Sequence, residues 1–304
     1  MKSISFFLPN PRGMGLRVMQ KMEKVLPDRM YLKMLFMLKV GCKLNLKTPK
    51  TFNEKLSWIK LYDRQPLYTR LADKYTVKQY VAERIGGRYV VDNYLVADSW
   101  DEIDFDKLPN QFVLKCTHDS GGAFVCRDKQ QFDFERVRQE MTANLQCNYF
   151  YPGREWPYKN IKPRIIADRY LDDHTGNELR DYKFWCFNGK PTYMYCTIKG
   201  ANIFENFYDM QFRPVMIDHG FPRHQPEFER PKNFELMKEL ATKLSEDIPF
   251  VRVDFFDVDE NVYFGEFTFY DWGGLRPFGG DWDLRLGELI QLPQRRGRDE
   301  VAVG

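Results

Sequence analysis

The sequence predicts an α+β protein in which a helical region precedes two lobes built on antiparallel strands. After an irregular lead-in at 1–13, apolar side chains recur at helical spacing up to Gly86-Gly87, whereas from residue 88 onward short apolar runs end at glycine and asparagine turns. The 304 residues are 43% hydrophobic and 16% aromatic, enough to bury one large core or two to three lobes. We expect a helical N-terminal region at 1–87 that packs on the core, a first lobe at 88–160, a second lobe at 161–290 and a basic tail at 291–304.

Composition limits the classes of partner and the compartment. Lys and Arg total 46 against 43 Asp and Glu, and a formal charge of +3 is too small to indicate a nucleic-acid partner. The six cysteines include no C-x-x-C pair and mostly lie in apolar runs, which predicts free buried thiols in a reducing compartment. No signal-peptide pattern is evident. The longest apolar run, at 31–40, is shorter than the roughly 20 residues of a membrane span.

These observations favour a cytoplasmic protein. Residues 14–40 are basic and amphipathic, so they are expected to pack on the body of the protein or to lie on a membrane surface.

The N-terminal region is expected to be mainly helical. Helices are predicted at 15–26, 28–40 and 52–62, and between Asp73 and Gly86. The third starts with a capping box, because the Thr51 hydroxyl and the Glu54 carboxylate can each satisfy a free backbone N–H. These helices provide packing surface and no catalytic motif.

Strands dominate the rest of the chain. Besides the two hairpins discussed next, strands are expected at 89–92, 164–171, 179–187, 191–198 and 206–212, and helices at 133–145 and 232–247. Residues 99–102 are expected to form a second capping box, led by Ser99, for a brief helix. Asn188-Gly189 is a strong signal for a tight hairpin turn.

A strand, a glycine-containing loop and a second strand are predicted at 111–126, with Lys115 just before the loop. Such a loop can cover the phosphates of a nucleotide, because glycines let backbone N–H groups approach them and the lysine adds charge. An ordinary hairpin with a solvated lysine fits the pattern equally well. The spacing of a P-loop NTPase is absent.

Two carboxylates stand on neighbouring strands of the last predicted hairpin, which spans 250–274. Its first strand carries Arg252-x-Asp254 and its second carries Glu266-x-Thr268. Side chains two residues apart share a face, and paired strands lie about 5 Å apart, so the two acids can face each other. Acids on a solvent face are the common alternative, but these runs are otherwise apolar. Because Mg²⁺ accepts one or two carboxylates together with phosphate oxygens, the hairpin predicts a magnesium–nucleotide site.

Seven segments occur in order along residues 45–290: TFNEKLSWIKLYDR, LADKYTVKQYV, FVLKCTHDSGG, IKPRIIADRYL, DYKFWCFNGKP, FVRVDFF and FGEFTFY. Together they resemble the TupA-like ATP-grasp family, which is associated with teichuronopeptide and other surface-polysaccharide biosynthesis. The resemblance implies the ATP-grasp fold, in which ATP lies between the antiparallel sheets of two α+β lobes. It also implies an ATP-dependent carboxylate–amine ligase that works through an acyl phosphate.

The resemblance implies a role for each matching residue of the nucleotide site. Lys115 would contact phosphate, and the flexible phosphate loop would comprise His118, Ser120, Gly121 and Gly122. Asp168 stands where relatives usually carry a glutamate near the adenine amino group. Glu178 would reach the ribose, and Lys183 would be a second phosphate contact, with an outward-facing strand lysine as the alternative.

The late hairpin would supply the remaining roles. Arg252 would stabilise the charge of the transferring phosphoryl group, and the Mg²⁺ ligands would be Asp254, Glu266 and Thr268. Thr268 stands where the wider superfamily often has asparagine. Residues 271–274, Asp-Trp-Gly-Gly, depart from the proline- and glycine-rich run expected there, which bears on acceptor recognition.

The implied cofactors are ATP and Mg²⁺, and the implied substrates are an amine or amino acid and a carboxylate-bearing sugar or glycan. Peripheral association with membrane-bound polysaccharide machinery at the inner membrane face is a further implied partnership. Within 148–162, five side chains are suited either to stacking on a sugar or to core packing: Tyr149, Tyr151, Arg154, Trp156 and Tyr158.

Two other functions compete with a ligase. A metal-dependent glycosyltransferase is suggested by Asp257-x-Asp259, although aspartates are also common in turns. A non-catalytic glycan-binding relative is suggested by the departures at Asp168, Thr268 and 271–274.

Overall fold

The computed structural model describes residues 11–172, 179–198 and 203–294. The helices of these residues are α1 (Pro11–Lys21), α2 (Asp28–Lys39), α3 (Phe52–Tyr62), α4 (Pro66–Ala72), α5 (Thr76–Ile85), α6 (Phe134–Leu145), α7 (Phe150–Gly153), α8 (Phe234–Leu244) and α9 (Trp282–Leu289). Their strands are β1 (Asn93–Ala97), β2 (Phe112–Cys116), β3 (Phe124–Cys126), β4 (Ile165–Arg169), β5 (Asp181–Phe187), β6 (Lys190–Ile198), β7 (Phe204–Asp209), β8 (Pro214–Val215), β9 (Phe250–Val258) and β10 (Asn261–Thr268).

The strands form two antiparallel sheets. The first has the order β1-β4-β2-β3, and the second has the order β10-β9-β5-β6-β7-β8. Strand β4 lies in the range 161–290 assigned to the second lobe, yet it pairs between β1 and β2 of the first sheet. The division of the chain into four parts stays a prediction.

The four-stranded sheet packs one face against a helix. Phe112 and Leu114 of β2 point into a core that α6 completes with Val137 and Met141. Because side chains alternate along a strand, Lys115 lies on the opposite face.

The six-stranded sheet is covered on one face by α8 and at one end of the other face by α3. Phe184 of β5 packs against Phe234 of α8, with ring centroids 5.9 Å apart. On the other face, Phe52 of α3 contacts Trp185 at 5.6 Å and Phe250 at 4.8 Å. The remaining end of this face carries charged residues.

The segment containing α4 and α5 contacts both sheets. Tyr68 packs on Phe269, just after β10, with ring centroids 4.6 Å apart. Lys78 of α5 forms an ion pair with Asp168 of β4, at 2.5 Å. This segment therefore holds the two sheets in a defined relation.

Several local predictions are confirmed. The capping box at Thr51 and Glu54 is present, with both reciprocal bonds. Asn188 and Gly189 have φ values of 48° and 78°, the left-handed pair that a tight hairpin turn requires. All six cysteines are free, and four of them are buried: Cys116, Cys126, Cys186 and Cys196.

The strand predicted at 89–92 is wrong. Residues Gly87–Tyr89 form a 3₁₀ turn, and the first strand begins at Asn93. Tyr89 is buried, but in the larger hydrophobic core and not in a strand ladder. The apolar alternation in this stretch therefore reflects packing under the helical region.

The short helix expected at 99–102 is a 3₁₀ turn, Trp100–Glu102, which Ser99 does not cap with its side chain.

Candidate functional site

The β9–β10 hairpin brings the predicted acids together. Arg252 lies directly opposite Thr268, and the register shifts between Phe264 and Phe267. The shift places Gly265 against Asp254, where a Cβ at position 265 would approach the Asp254 carbonyl oxygen to 3.1 Å. A glycine-containing bulge therefore sets Asp254 and Glu266 on one face of the sheet, as the alternation predicted.

Arg252 is the centre of this cluster. Its Nε and Nη2 lie 2.7 and 2.8 Å from the two oxygens of Asp254. Nη2 also donates to Glu266 Oε1 at 2.8 Å, and Nη1 donates to Asp271 Oδ1 at 2.6 Å. Burial by itself lowers the pKa of Arg252, but these carboxylates outweigh it and hold the pKa well above its ordinary value.

Lys183 joins the cluster from β5, where it lies opposite Asp254. Its Nζ is 2.8 Å from Asp254 Oδ2 and 2.8 Å from Asp181 Oδ2. Burial opposes ionisation of both partners, but the opposite charges prevail, so the pKa of Lys183 is raised and that of Asp254 is lowered. The Lys183 side chain is 10% exposed, and in this structure its charge neutralises the carboxylates of Asp181 and Asp254.

Asp271 binds Nη1 of the Arg252 guanidinium, while Asp254 binds Nε and Nη2. Its carboxylate accepts hydrogen bonds from Trp185 Nε1 at 3.1 Å and from the Tyr195 hydroxyl at 3.2 Å. His219 Nε2 lies 4.0 Å away, and the other ring nitrogen of His219 is 2.8 Å from Glu205. The departure noted at 271–274 thus places a buried carboxylate against the site arginine. Sequence reasoning missed this role, because its partners lie 19 to 86 residues away along the chain.

A second charged cluster lies on the open face of the four-stranded sheet. The Asp168 carboxylate is contacted by Lys115 at 3.0 Å, by Lys78 at 2.5 Å and by the Asn93 amide at 2.6 Å. The structure therefore brings Lys115 and Asp168 into contact, and their roles toward phosphate and adenine stay predictions. Lys78 and Asn93 were missed, although Lys78 lies inside one of the segments that carry the family resemblance.

The glycine-containing loop is partly exposed and partly buried. Ser120, Gly121 and Gly122 are exposed, and both glycines have left-handed φ values, 99° and 73°. His118 is buried, and its Nε2 lies 3.1 Å from the carbonyl oxygen of Asn144 at the end of α6. The His118 ring therefore anchors the loop in this structure. Its assignment to the phosphate loop stays a prediction.

The charge of the hairpin acts on the glycine-containing loop. Burial raises the pKa of Asp119, its ion pair with Lys74 at 2.9 Å opposes the rise, and the charge of Glu266 adds to it. Burial raises the pKa of the Tyr158 hydroxyl, and the charges of Glu155, Glu266 and Asp119 add to the rise. The charge of Glu266 in the hairpin therefore acts on Asp119 in the loop and on Tyr158.

The carboxylates of the cluster are mostly engaged by protein cations, and Glu266 is the most exposed of those bound to Arg252. Four carboxylates face two cations, and the acids are Asp181, Asp254, Glu266 and Asp271. Glu266 has 39% of its side chain exposed, and among the described residues its hydrogen bonds, from Arg252 and from Thr268 at 3.1 Å, both end on Oε1. The described residues form no group of three or more His, Cys, Asp or Glu in metal-binding geometry. A cation here would need further oxygen ligands, as Mg²⁺ takes from nucleotides.

Three other residues singled out in the sequence remain: Glu178, Asp257 and Asp259. Glu178 lies outside the described residues. Asp257 lies on the face opposite Asp254 and accepts from the Asn233 amide at 2.8 Å, near the start of α8. Asp259 has a φ of 50° in the hairpin turn. The two aspartates of the D-x-D pattern therefore shape the turn and the helix start.

Arg154 of the 148–162 segment is buried and structural. Its guanidinium lies 4.0 Å from the Tyr31 ring, pairs with Asp28 at 2.9 Å and donates to the carbonyl oxygen of Leu26 at 3.2 Å. These contacts tie the segment to the N-terminal helices, so Arg154 packs in the interior instead of facing a sugar.

A family model and several solved structures match this chain. The profile of a family described as TupA-like ATPgrasp matches residues 54–291. No curated protein gives a match. The solved D-alanine–D-alanine ligase of Bacillus anthracis, complexed with ATP, has a TM-score of 0.38 and 13% identity, over 71% of this chain and 55% of that chain.

Two further solved structures are similar. The D-alanine–D-alanine ligase of Helicobacter pylori has a TM-score of 0.40 and 16% identity, over 77% of this chain and 62% of that chain. The ATP-grasp ligase PsnB, complexed with a minimal precursor, has a TM-score of 0.42 and 10% identity, over 78% of this chain and 67% of that chain. The chain thus spans 55% and 62% of the length of these two D-alanine ligases.

Proposed function

Because the chain belongs to the TupA-like ATP-grasp family, we propose that it is an ATP-dependent carboxylate–amine ligase. The match over residues 54–291 confirms the family and the ATP-grasp fold predicted for the chain. The observation that carries the proposal is the cluster of Arg252, Asp254 and Glu266 on one face of the β9–β10 hairpin.

The proposed reaction has two steps. A substrate carboxylate oxygen attacks the γ-phosphorus of ATP, ADP leaves, and an acyl phosphate forms. A substrate amine then attacks the acyl carbon, inorganic phosphate leaves, and the nitrogen loses a proton as the amide forms. Such chemistry depends on positioning and charge stabilisation, because the protein forms no covalent bond with the substrate.

The side chains divide this work between the two sheets. Lys115 and the backbone N–H groups of Ser120–Gly122 would hold ATP phosphates. Arg252 would stabilise the charge that develops on the transferring phosphoryl group. Glu266 and Asp254 would hold Mg²⁺, with Thr268 orienting Glu266; bound Mg²⁺ would neutralise phosphate charge. The loop would also exclude water, which hydrolyses acyl phosphates.

The substrate class is proposed at two levels. The coarse level is a carboxylate and an amine. At the finer level, we propose that the carboxylate belongs to a sugar or glycan and that the amine is an amino acid or another amine. The association of the family with surface-polysaccharide synthesis supports this choice. The non-catalytic relative is the competing function. The buried ion pairs of Arg252 argue against it, because charged residues are kept in the interior at an energetic cost.

The decisive test is Glu266→Gln. Glu266 is partly exposed, so the substitution leaves the buried pairs of Arg252 with Asp254 and Asp271 in place. We expect substrate-dependent ADP release, screened over amino acids and uronic acids with MgATP, to fall at least about a hundredfold. Glu260→Gln, in the exposed turn of the same hairpin, is the matched control and should keep wild-type rates. Equal rates for Glu266→Gln and wild type would exclude the proposed role of Glu266.

Asp254 is a poorer target for this test. Its carboxylate neutralises both Arg252 and Lys183 and is 3% exposed. Asp254→Asn would leave two buried cations short of a partner and cost about 3–5 kcal/mol of stability. Loss of activity in that variant would therefore mix unfolding with chemistry.

We further propose that the N-terminal helices bind an anionic membrane surface. Residues 13–43 contain seven basic residues, all exposed, and two acidic residues, a net charge of +5 in a chain of net charge +3. Exposed apolar side chains accompany them: Met14, Val18, Met22, Val25, Met30, Met34 and Met37. An open groove of about 740 Å³ lies between α1 and α2. Among the described residues no helix is long and apolar enough to span a bilayer, so the proposed contact is with the surface.

A further inference from the structure

A surface built from two loops adjoins the Arg252 cluster on the side away from Asp254. One loop contains His219–Phe221, and the other contains Asp271–Arg276. The Arg276 guanidinium lies 3.7 Å from the Phe221 ring centroid and 4.8 Å from that of Trp272. Two carbonyl oxygens hold it there, those of His219 and Gly220. We call this surface, formed by Phe221, Trp272 and Arg276, the aromatic platform.

Trp272 is presented outward by an unusual backbone. Its φ is 47° and its ψ is 31°, the left-handed region that bulky residues rarely adopt. The residue before it, Asp271, is buried against Arg252, yet 45% of Trp272 is exposed. Uncommon backbone conformations of this kind concentrate at binding sites. The loop therefore displays an aromatic face next in the chain to Asp271, which pairs with Arg252.

Arg276 carries a charge without a carboxylate partner. No Asp or Glu oxygen of the described residues lies within 4.0 Å of it, and its Nη1 donates to none of their acceptors. Partial burial lowers the pKa of Arg276, while the charges of Glu205 and Asp271 oppose the change. By contrast, Arg285 lies 4.0 Å over Trp282 and also meets Asp281 at 3.8 Å. An oriented, unpaired guanidinium is a recognition element for a carboxylate.

The platform is linked to the reacting centre by direct contacts. Arg276 bonds to the backbone of His219, whose ring nitrogen is 4.0 Å from Asp271. Asp271 in turn lies 2.6 Å from Nη1 of Arg252, whose opposite edge holds Asp254. His219, Asp271 and Arg252 thus connect the platform to the proposed phosphate side.

We propose that the aromatic platform binds a substrate carboxylate on Arg276 while a ring or apolar face of the same molecule packs on Trp272. This inference rests on the proposed ligase function and assigns its substrate side. The shared chemistry is a carboxylate next to a flat or apolar face, which either a uronic acid or an aromatic amino acid supplies.

The test measures ligand binding to the full chain without ATP, by isothermal titration calorimetry and saturation-transfer NMR. The probes are glucuronate, phenylalanine and uncharged glucose. We expect one of the two acids to bind and glucose not to bind. Arg276→Gln and Trp272→Asn should each weaken binding at least about tenfold. Asparagine tolerates the left-handed backbone and leaves the bonds of Arg276 intact. The matched control, Arg285→Gln, should change affinity less than twofold.

Three outcomes would overturn the platform: glucose binding as tightly as the acids, neither acid binding, or wild-type affinity in both platform variants. Arg276→Lys, which keeps the charge, should retain more affinity than Arg276→Gln, which separates loss of charge from distortion of the loop. ATP binding, measured separately with Mg²⁺, tests the ligase function. If ATP fails to bind while the acid still depends on Arg276, the ligase proposal is wrong and the platform stands.

Discussion

Lys60 links the N-terminal helices to the loop that follows the late hairpin. It is fully buried, and its Nζ donates to the carbonyl oxygens of Gly153 at 2.7 Å and Gly273 at 2.6 Å. Burial lowers the pKa of Lys60 to about 8, although the charge of Glu155 opposes the change. A single lysine thus positions the segment that carries Asp271 and Trp272.

This lysine makes stability depend on pH in a predictable direction. Its folded-state pKa lies below the unfolded value of 10.5, so between pH 8 and 10.5 the unfolded chain binds more protons. Stability from this group therefore rises as pH rises through that window. We expect wild type to gain stability relative to Lys60→Met between pH 8 and 10.5, measured by urea unfolding at each pH. Parallel pH profiles for the two proteins would contradict the assignment.

Helix α3 is the element that joins the helical region to the six-stranded sheet. Its capping box fixes where it begins, and the next residue, Phe52, enters a cluster of four rings: Trp185, Phe187, Phe250 and Phe278. Local sequence therefore starts the helix at the position where its first side chain meets the sheet.

Removal of that ring should be costly. Phe52→Ala is expected to destabilise the protein by about 3–5 kcal/mol, because the cavity would lie among side chains fixed by the sheet. Leu67→Ala, on the neighbouring helix α4 where the residue is 39% exposed, should cost less than about 1 kcal/mol. Denaturant unfolding measures both. A cost for Phe52→Ala as small as that of Leu67→Ala would show that α3 contributes little to the core.

At the scale of the whole molecule, the charge is distributed unevenly. The N-terminal residues 13–43 carry +5, so the remainder of the chain is net acidic. The acidic cluster of the candidate site and the basic apolar surface of α1 and α2 thus belong to different parts of the molecule. This arrangement would allow membrane contact without occupying the site.

The membrane proposal predicts selective binding to anionic vesicles. We expect co-sedimentation with phosphatidylglycerol vesicles, weak binding to phosphatidylcholine vesicles and loss of binding at high salt. The double variant Lys33→Glu, Lys43→Glu should lose binding, whereas the control Lys107→Glu, Lys190→Glu should retain it. Equal binding to both lipids, or a second copy of the chain covering this face in sedimentation analysis, would overturn the proposal.

Local signals in the sequence were enough to identify most elements and the principal acids. Capping residues, glycine turns and strand alternation act over a few residues, so α3, the Asn188-Gly189 turn and the shared face of Asp254 and Glu266 could be predicted. The strand expected at 89–92 failed because burial against another element produces the same apolar alternation as a strand.

The charge partners, in contrast, were decided by the tertiary structure. Lys183 pairs with Asp254 across 71 residues, Lys78 meets Asp168 across 90, and Trp185 bonds to Asp271 across 86. No periodicity encodes such separations, because they depend on which strands pair and how the helices dock. The sequence by itself determined the family and most of the elements. Only the fold decided which charges neutralise one another and that Arg276 is left without a carboxylate among the residues described here.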